Sequence, residues 1–140
     1  MRILIDTNVL LDAALARPQY APAAQDCLSL LVSRKAAAYL TATTVTDIYY
    51  LARRELRDAE AALNVVRRLL DTFSVAAVDG RDCLRALSIG IQDYEDAIQA
   101  VCAQKIKADY ILTRNGRDFA ASPVPSIAPL DFLQAHKNDR

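Results

Sequence analysis

Two hydrophobic periods alternate along the chain. Ile3-Leu4-Ile5 is a continuous β-prone run that stops at the polar group Asp6-Thr7-Asn8. Val9 to Leu15 reads as a short helix broken near Arg17-Pro18, and Ala23 to Lys35 carries apolar residues at helical spacing. Ala38-Tyr39-Leu40-Thr41 reads as a second strand. Thr43 or Thr44 then opens a helix to about Arg54, and Asp58 to Asp71 forms another. Phe73 to Val78 predicts a third strand closed by Asp79-Gly80, followed by helical Arg81 to Ile89. Tyr94 to Lys107 is helical, with Ile98, Val101, Cys102 and Ile106 as its apolar stripe. Tyr110 to Thr113 is a strand that runs into the polar turn Arg114 to Asp118. Beyond Pro123 and Pro125, Ser126 to Ala128 forms a last short strand and Leu130 to Ala135 a closing helix.

Strands separated by helices require crossover connections of roughly a dozen residues or more, which are right-handed and favour a buried parallel sheet with helices on both faces. The expectation is an α/β domain with four or five mostly parallel strands. A chain of 140 residues fits one domain, set here at residues 1–136. The tail 137–140 is expected to fray.

Composition narrows the function classes. Lys plus Arg and Asp plus Glu are 17 each, so the formal charge is zero. A long basic surface for nucleic acid is therefore excluded, and any such contact is local, short or shared between subunits, the last favouring a homodimer. Cys27, Cys83 and Cys102 form no CxxC pair, and His136 is the sole histidine, which argues against zinc or a disulfide framework. The start of the chain has no signal-peptide layout, and no apolar run reaches membrane length, so a cytoplasmic location is expected.

In an open parallel sheet, sites form beyond the carboxyl ends of the strands. Asp6-Thr7-Asn8, Thr41 to Asp47, and Thr113 to Asp118 fall there, and Asp93, Glu95 and Asp96 open the helix leading into the fourth strand. Each group also has a structural explanation. Asp6 or Thr7 can cap the first helix, Thr44-x-x-Asp47 matches a capping box, and acids suit a first helical turn. Together they converge on one sheet edge, where carboxylates repel unless a cation neutralises them. Without His or Cys partners the donors are hard oxygens, which suit Mg²⁺ or Mn²⁺. No Gly-rich phosphate loop and no Ser-His or Cys-His pair is available, which leaves phosphodiester hydrolysis by metal-activated water.

Four segments carry a family resemblance. Ile3-Leu-Ile-Asp-Thr-Asn-Val-Leu-Leu11, Ala42-Thr-Thr-Val-Thr-Asp-Ile-Tyr-Tyr50, Tyr94-Glu-Asp-Ala-Ile-Gln-Ala-Val-Cys-Ala103 and Ala108-Asp-Tyr-Ile-Leu-Thr-Arg-Asn-Gly-Arg-Asp-Phe119 resemble, in order and spacing, the PIN-domain ribonucleases, including VapC-type toxins. The resemblance implies a three-layer α/β/α sandwich, RNA cleavage, frequent homodimers and an inhibitory antitoxin partner. Carried over residue by residue, it makes Asp6 and Asp96 the first and central metal ligands. Asp47 stands where the family usually has Glu, and the last acid is Asp118, or Asn115 through its carbonyl oxygen. Thr7, Asn8 and Thr113 support the site, Asp93 is an extra supporting acid, and Glu95 is expected to face solvent.

The leading expectation is thus an Mg²⁺- or Mn²⁺-dependent endoribonuclease, with Asp6, Asp47, Asp96 and Asp118 catalytic and Arg114 and Arg117 contacting RNA phosphates. Two other classes compete with it. One is a catalytically weak scaffold of the same fold that binds RNA or a protein. The other is a phosphohydrolase with a nucleophilic Asp, which would need a Lys near the sheet edge.

Overall fold

The computed structural model describes residues 1–137. The frayed tail expected at 137–140 lies, from residue 138 on, outside the described residues.

Strand β1 (Arg2–Ile5) is the centre of a five-stranded sheet ordered β3-β2-β1-β4-β5. The others are β2 (Ala37–Thr41), β3 (Ser74–Ala76), β4 (Tyr110–Leu112) and β5 (Ser126–Ile127), and every pairing is parallel. Among the described residues the α-helices are α1 (Thr7–Ala14), α2 (Ala21–Ser33), α3 (Ala42–Leu56), α4 (Ala59–Thr72), α5 (Gly80–Ala86), α6 (Tyr94–Lys105) and α7 (Pro129–Ala135). Period-two side chains on β1 explain the layering. Ile3 and Ile5 pack with α1, α2, α3 and α7 on one face, while Leu4 packs with Ala100 and Ala103 of α6 on the other. Ile3, Leu4 and Ile5 are fully buried, each contributing about 1.5–3 kcal/mol relative to exposure. The result is the expected three-layer sandwich, with the sheet wholly parallel.

Local chemistry sets the helix boundaries. The α3 cap is Thr41, whose hydroxyl accepts from Thr44 N at 3.1 Å. The capping box expected at Thr44 and Asp47 is therefore absent, because β2 runs into α3 with no intervening loop. Arg57, at φ 54, ends α3 in the left-handed conformation, and Asp58 caps α4 by accepting from Glu60 N and Ala61 N. Asp79 and Asp82 form a reciprocal capping box on α5. That helix ends at Ala86, short of the expected Ile89.

The chain leaves β1 toward β2 and β3, then returns to the opposite side of β1 for β4. This reversal opens a crevice beyond the carboxyl ends of β1 and β4, where open α/β sheets place their ligands. Among the described residues, no helix is long and apolar enough to cross a membrane. Cys27, Cys83 and Cys102 are all free, and Cys27 and Cys102 are buried.

Candidate active site

Asp6 follows β1 directly and Thr113 follows β4. The register that pairs Ile5 with Leu112 brings the two residues side by side. Thr113 Oγ1 donates to Asp6 Oδ2 at 2.8 Å, and Gln99 Nε2 of α6 donates to Asp6 Oδ1 at 3.0 Å. Asp6 is only 3% exposed. Burial pushes its carboxyl above the ordinary value, opposed by the bonds from Gln99 and Thr113. The backbone amides of Thr7 and Asn8 also favour the ionised form, without closing a side-chain cap on α1. Thr113 Oγ1 in turn accepts from Asn115 N at 3.0 Å, which folds the β4 exit back over the site.

Asp96 lies in the first turn of α6, half-buried, with Asp93 as the N-cap accepting from Asp96 N at 3.0 Å. Its carboxyl is pushed up to about 7, first by burial and then by the charges of Asp6, Asp93 and Asp118. Asp6, Asp93 and Asp118 therefore all act on Asp96 at one edge of the sheet. Asp93, Asp96, Asp118, Gln92 and Arg117 line an open cleft of about 740 Å³. Asp118 and Arg117 are exposed within the 3-10 turn Gly116–Phe119.

A second pair of acids, Glu95 and Asp47, meets beside this group. Glu95, expected to face solvent, is half-buried and accepts from Thr7 Oγ1 at 3.3 Å. Burial and the facing Asp47 carboxyl push it up to about 8. Thr7 Oγ1 lies 2.9 Å from Thr44 Oγ1, which accepts from Thr41 Oγ1 at 3.0 Å, and Thr43 Oγ1 is 2.8 Å from Thr41 Oγ1. With Glu95 ionised, the hydroxyls point in sequence from Thr43 through Thr41, Thr44 and Thr7 toward the carboxylate. Thr7 thus bridges the α3 start and the α6 start. The half-buried Asn8 sits beside it on α1.

Arg114 has a protein partner. Its Nε donates to Asp12 Oδ2 at 2.8 Å, and its guanidinium lies 4.2 Å above the Tyr20 ring. Asp12, 1% exposed, also accepts from Arg17 at 3.2 Å, and Arg17 reaches Glu55 at 2.8 Å. This network pins the start of the β4 exit loop to α1. Arg117 is the loop arginine that faces the acidic cleft.

The donor set consists of carboxylate, hydroxyl and amide oxygens. It fits a hard divalent cation and not a thiolate- or imidazole-seeking metal. Among the described residues, no three His, Cys, Asp or Glu side chains are drawn into a ready-made cage. The charges of Asp6, Asp93 and Asp118 reach Asp96 at longer range. Sequence reasoning gave no role to Gln99 or Asp12, and placed Thr41 and Thr44 at the sheet edge without the hydroxyl chain that joins them. Neither Gln99, set among the apolar residues of α6, nor Asp12 leaves a distinct local signal.

A wholly parallel five-stranded α/β/α sandwich with acids at the β1/β4 switch point is the architecture of a compact carboxylate-site domain. The chain belongs to the PIN domain family, whose model matches residues 2–117. Its fold is similar to that of VapBC2 from Rickettsia felis bound to a DNA fragment from their promoter (TM-score 0.72, 14% identity, covering 91% of this chain and 98% of that one). DNA-bound VapBC from Salmonella typhimurium is comparable, at TM-score 0.71, 19% identity and coverages of 92% and 98%. So is a toxin–antitoxin complex from Klebsiella pneumoniae, at TM-score 0.67, 22% identity and coverages of 91% and 97%. At these identities the shared property is the fold. No curated protein matches the chain.

Proposed function

We propose that this PIN domain is an Mg²⁺- or Mn²⁺-dependent endoribonuclease, acting in the cytoplasm as the toxin of a toxin–antitoxin pair. The observation that carries the reading is the convergence of Asp93, Asp96 and Asp118 on one cleft, with the buried Asp6 near enough that, after burial itself, its charge and those of Asp93 and Asp118 push the Asp96 carboxyl up to about 7. Asp6, Asp96 and Asp118 would hold the cation. Bound there, a divalent ion lowers the pKa of a water and neutralises charge on phosphoryl oxygens. Thr113 orients the Asp6 carboxylate, and Thr7 orients Glu95 opposite Asp47. Asp118 rather than Asn115 is the better fourth-strand ligand, because its charge acts on Asp96. Arg117 would contact RNA phosphate from the cleft wall, while Arg114 holds the loop through Asp12.

The partner reading rests on the fold shared with the Klebsiella toxin–antitoxin complex. The zero net charge supports a homodimer whose joint surface gathers the RNA. The test is cleavage of a mixed RNA pool with Mn²⁺, wild type against Asp6→Asn. Cleavage abolished by EDTA and reduced at least about 100-fold in the variant is expected, since several kcal/mol of transition-state stabilisation is lost. If the wild type cuts no more than the variant, the domain is a binding scaffold and the nuclease reading fails.

A further inference from the structure

We propose that Gln99 is a positioning residue for the cation site: its side-chain amide fixes the Asp6 carboxylate and ties it to the helix that carries Asp96. The inference rests on the metal-site reading above.

Gln99 is 1% exposed and lies in the middle of α6 among Ala97, Ile98, Ala100 and Val101. A primary amide is costly in such surroundings unless both of its ends are paired. Only one end is. Nε2 donates to Asp6 Oδ1, while Oε1 is the one buried side-chain N or O atom among the described residues without a hydrogen-bond partner. The amide cannot turn over to relieve this, because an ionised carboxylate only accepts and Oε1 facing it would set two acceptors together. An apolar side chain of the same length would leave no orphaned oxygen. The arrangement thus serves Asp6 at the expense of local satisfaction, the pattern expected where function overrides stability.

Two geometric consequences follow. Thr113 from β4 holds one oxygen of Asp6 and Gln99 from α6 holds the other, so the carboxylate plane is fixed from both sides. Gln99 also follows Asp96 by three residues, one turn along the same side of α6. A single bond therefore sets the relation between the β1 carboxylate and the helix bearing the second acid. A neutral amide does this without altering the charge of the pocket. A Lys in its place would occupy the role of the cation, and a Glu would add to the repulsion. Partners that orient a metal ligand in this way commonly govern affinity for the ion.

The test is Mn²⁺ binding without RNA, by calorimetry or electron paramagnetic resonance, on wild type and Gln99→Met. Met keeps the length of the side chain and removes the hydrogen bond. Affinity about 10-fold weaker or more in the folded variant is expected. In parallel, the Gln99 side-chain ¹⁵N–¹H pair of the wild-type protein should shift during an Mg²⁺ titration. This second readout decides the matter if Gln99→Met fails to fold. A folded variant with affinity within about two-fold of wild type, or a Gln99 pair that stays still while the Asp6 and Asp96 amides move, overturns the inference alone. A wild-type protein that binds no Mn²⁺ overturns the metal reading and the inference with it.

Discussion

Thr113 Oγ1 donates to Asp6 Oδ2 at 2.8 Å across 107 residues of sequence, each residue standing just past the end of one of two paired parallel strands. Thr113 is fully buried and also receives the Asn115 N–H. Thr113→Val keeps the shape and removes both bonds. A loss of about 1–3 kcal/mol in urea unfolding is expected, from the unpaired groups left behind. Mn²⁺ titration should show weaker binding in the same variant. Unchanged stability and unchanged binding together would mean that the hydroxyl positions nothing.

The pH dependence of the metal-free protein follows from the raised carboxyls. Asp96 and Glu95 titrate near 7 and 8 when folded, against ordinary values of 3.8 and 4.5. Below the ordinary values both states are protonated and these groups contribute no difference. Between the ordinary and the folded values the native state binds more protons, so its stability falls as pH rises, and it levels off above the folded values. Thermal midpoints should therefore drop from pH 5 to pH 9 without metal. Added Mg²⁺ should raise them more at pH 9 than at pH 6. Glu95→Gln should stabilise the metal-free protein most at pH 9, less at pH 6, and little at pH 4, where both states of the wild type are protonated. A flat profile in calorimetry would refute the assignment of these shifts to the cluster.

The two loop arginines should separate cleanly. Arg114→Ala leaves the buried Asp12 with Arg17 alone, and the lost charged hydrogen bond is expected to cost about 1.5–3 kcal/mol of unfolding free energy. Arg117→Ala, exposed on the cleft wall, should stay within about 0.5 kcal/mol of wild type. It should nevertheless weaken RNA binding and lower the salt slope of the affinity by about 1. Denaturation curves alongside salt-dependent RNA binding read both effects. The reverse pattern would exchange the two roles.

Strand ends made half of the site legible in the sequence. Ile3-Leu4-Ile5 and Tyr110-Ile111-Leu112 are uninterrupted apolar runs, so Asp6 and Thr113 had to emerge at the sheet edge, and parallel pairing set them side by side. Asp96 and Asp93 were legible as acids at a helix start. What stayed hidden depends on long-range docking. Asp12 and Arg114 are 102 residues apart and carry no joint local signature. The exposure of Glu95 depends on the rotation of α6 about its axis, which the contact with Thr7 and Asp47 sets and periodicity does not. Thr41 displaced Thr44 as the α3 cap because the strand and the helix share a boundary. Gln99 was masked by the Ala and Val residues around it, since one polar residue barely alters the apolar stripe of a helix.

Sedimentation at micromolar concentration tests the assembly reading. A homodimer is expected, because the chain carries no excess of Lys and Arg over Asp and Glu with which to hold RNA alone. A monomer at every concentration would require the RNA groove to lie within one subunit.

The most direct measurement is a Mn²⁺-soaked crystal of the wild-type protein with anomalous data collected near the manganese edge. A peak coordinated by carboxylate oxygens of Asp6 and Asp96 is the predicted result. No peak at saturating Mn²⁺, with the Asp6 oxygens still enclosed by Gln99 and Thr113, would contradict the shared-cation account.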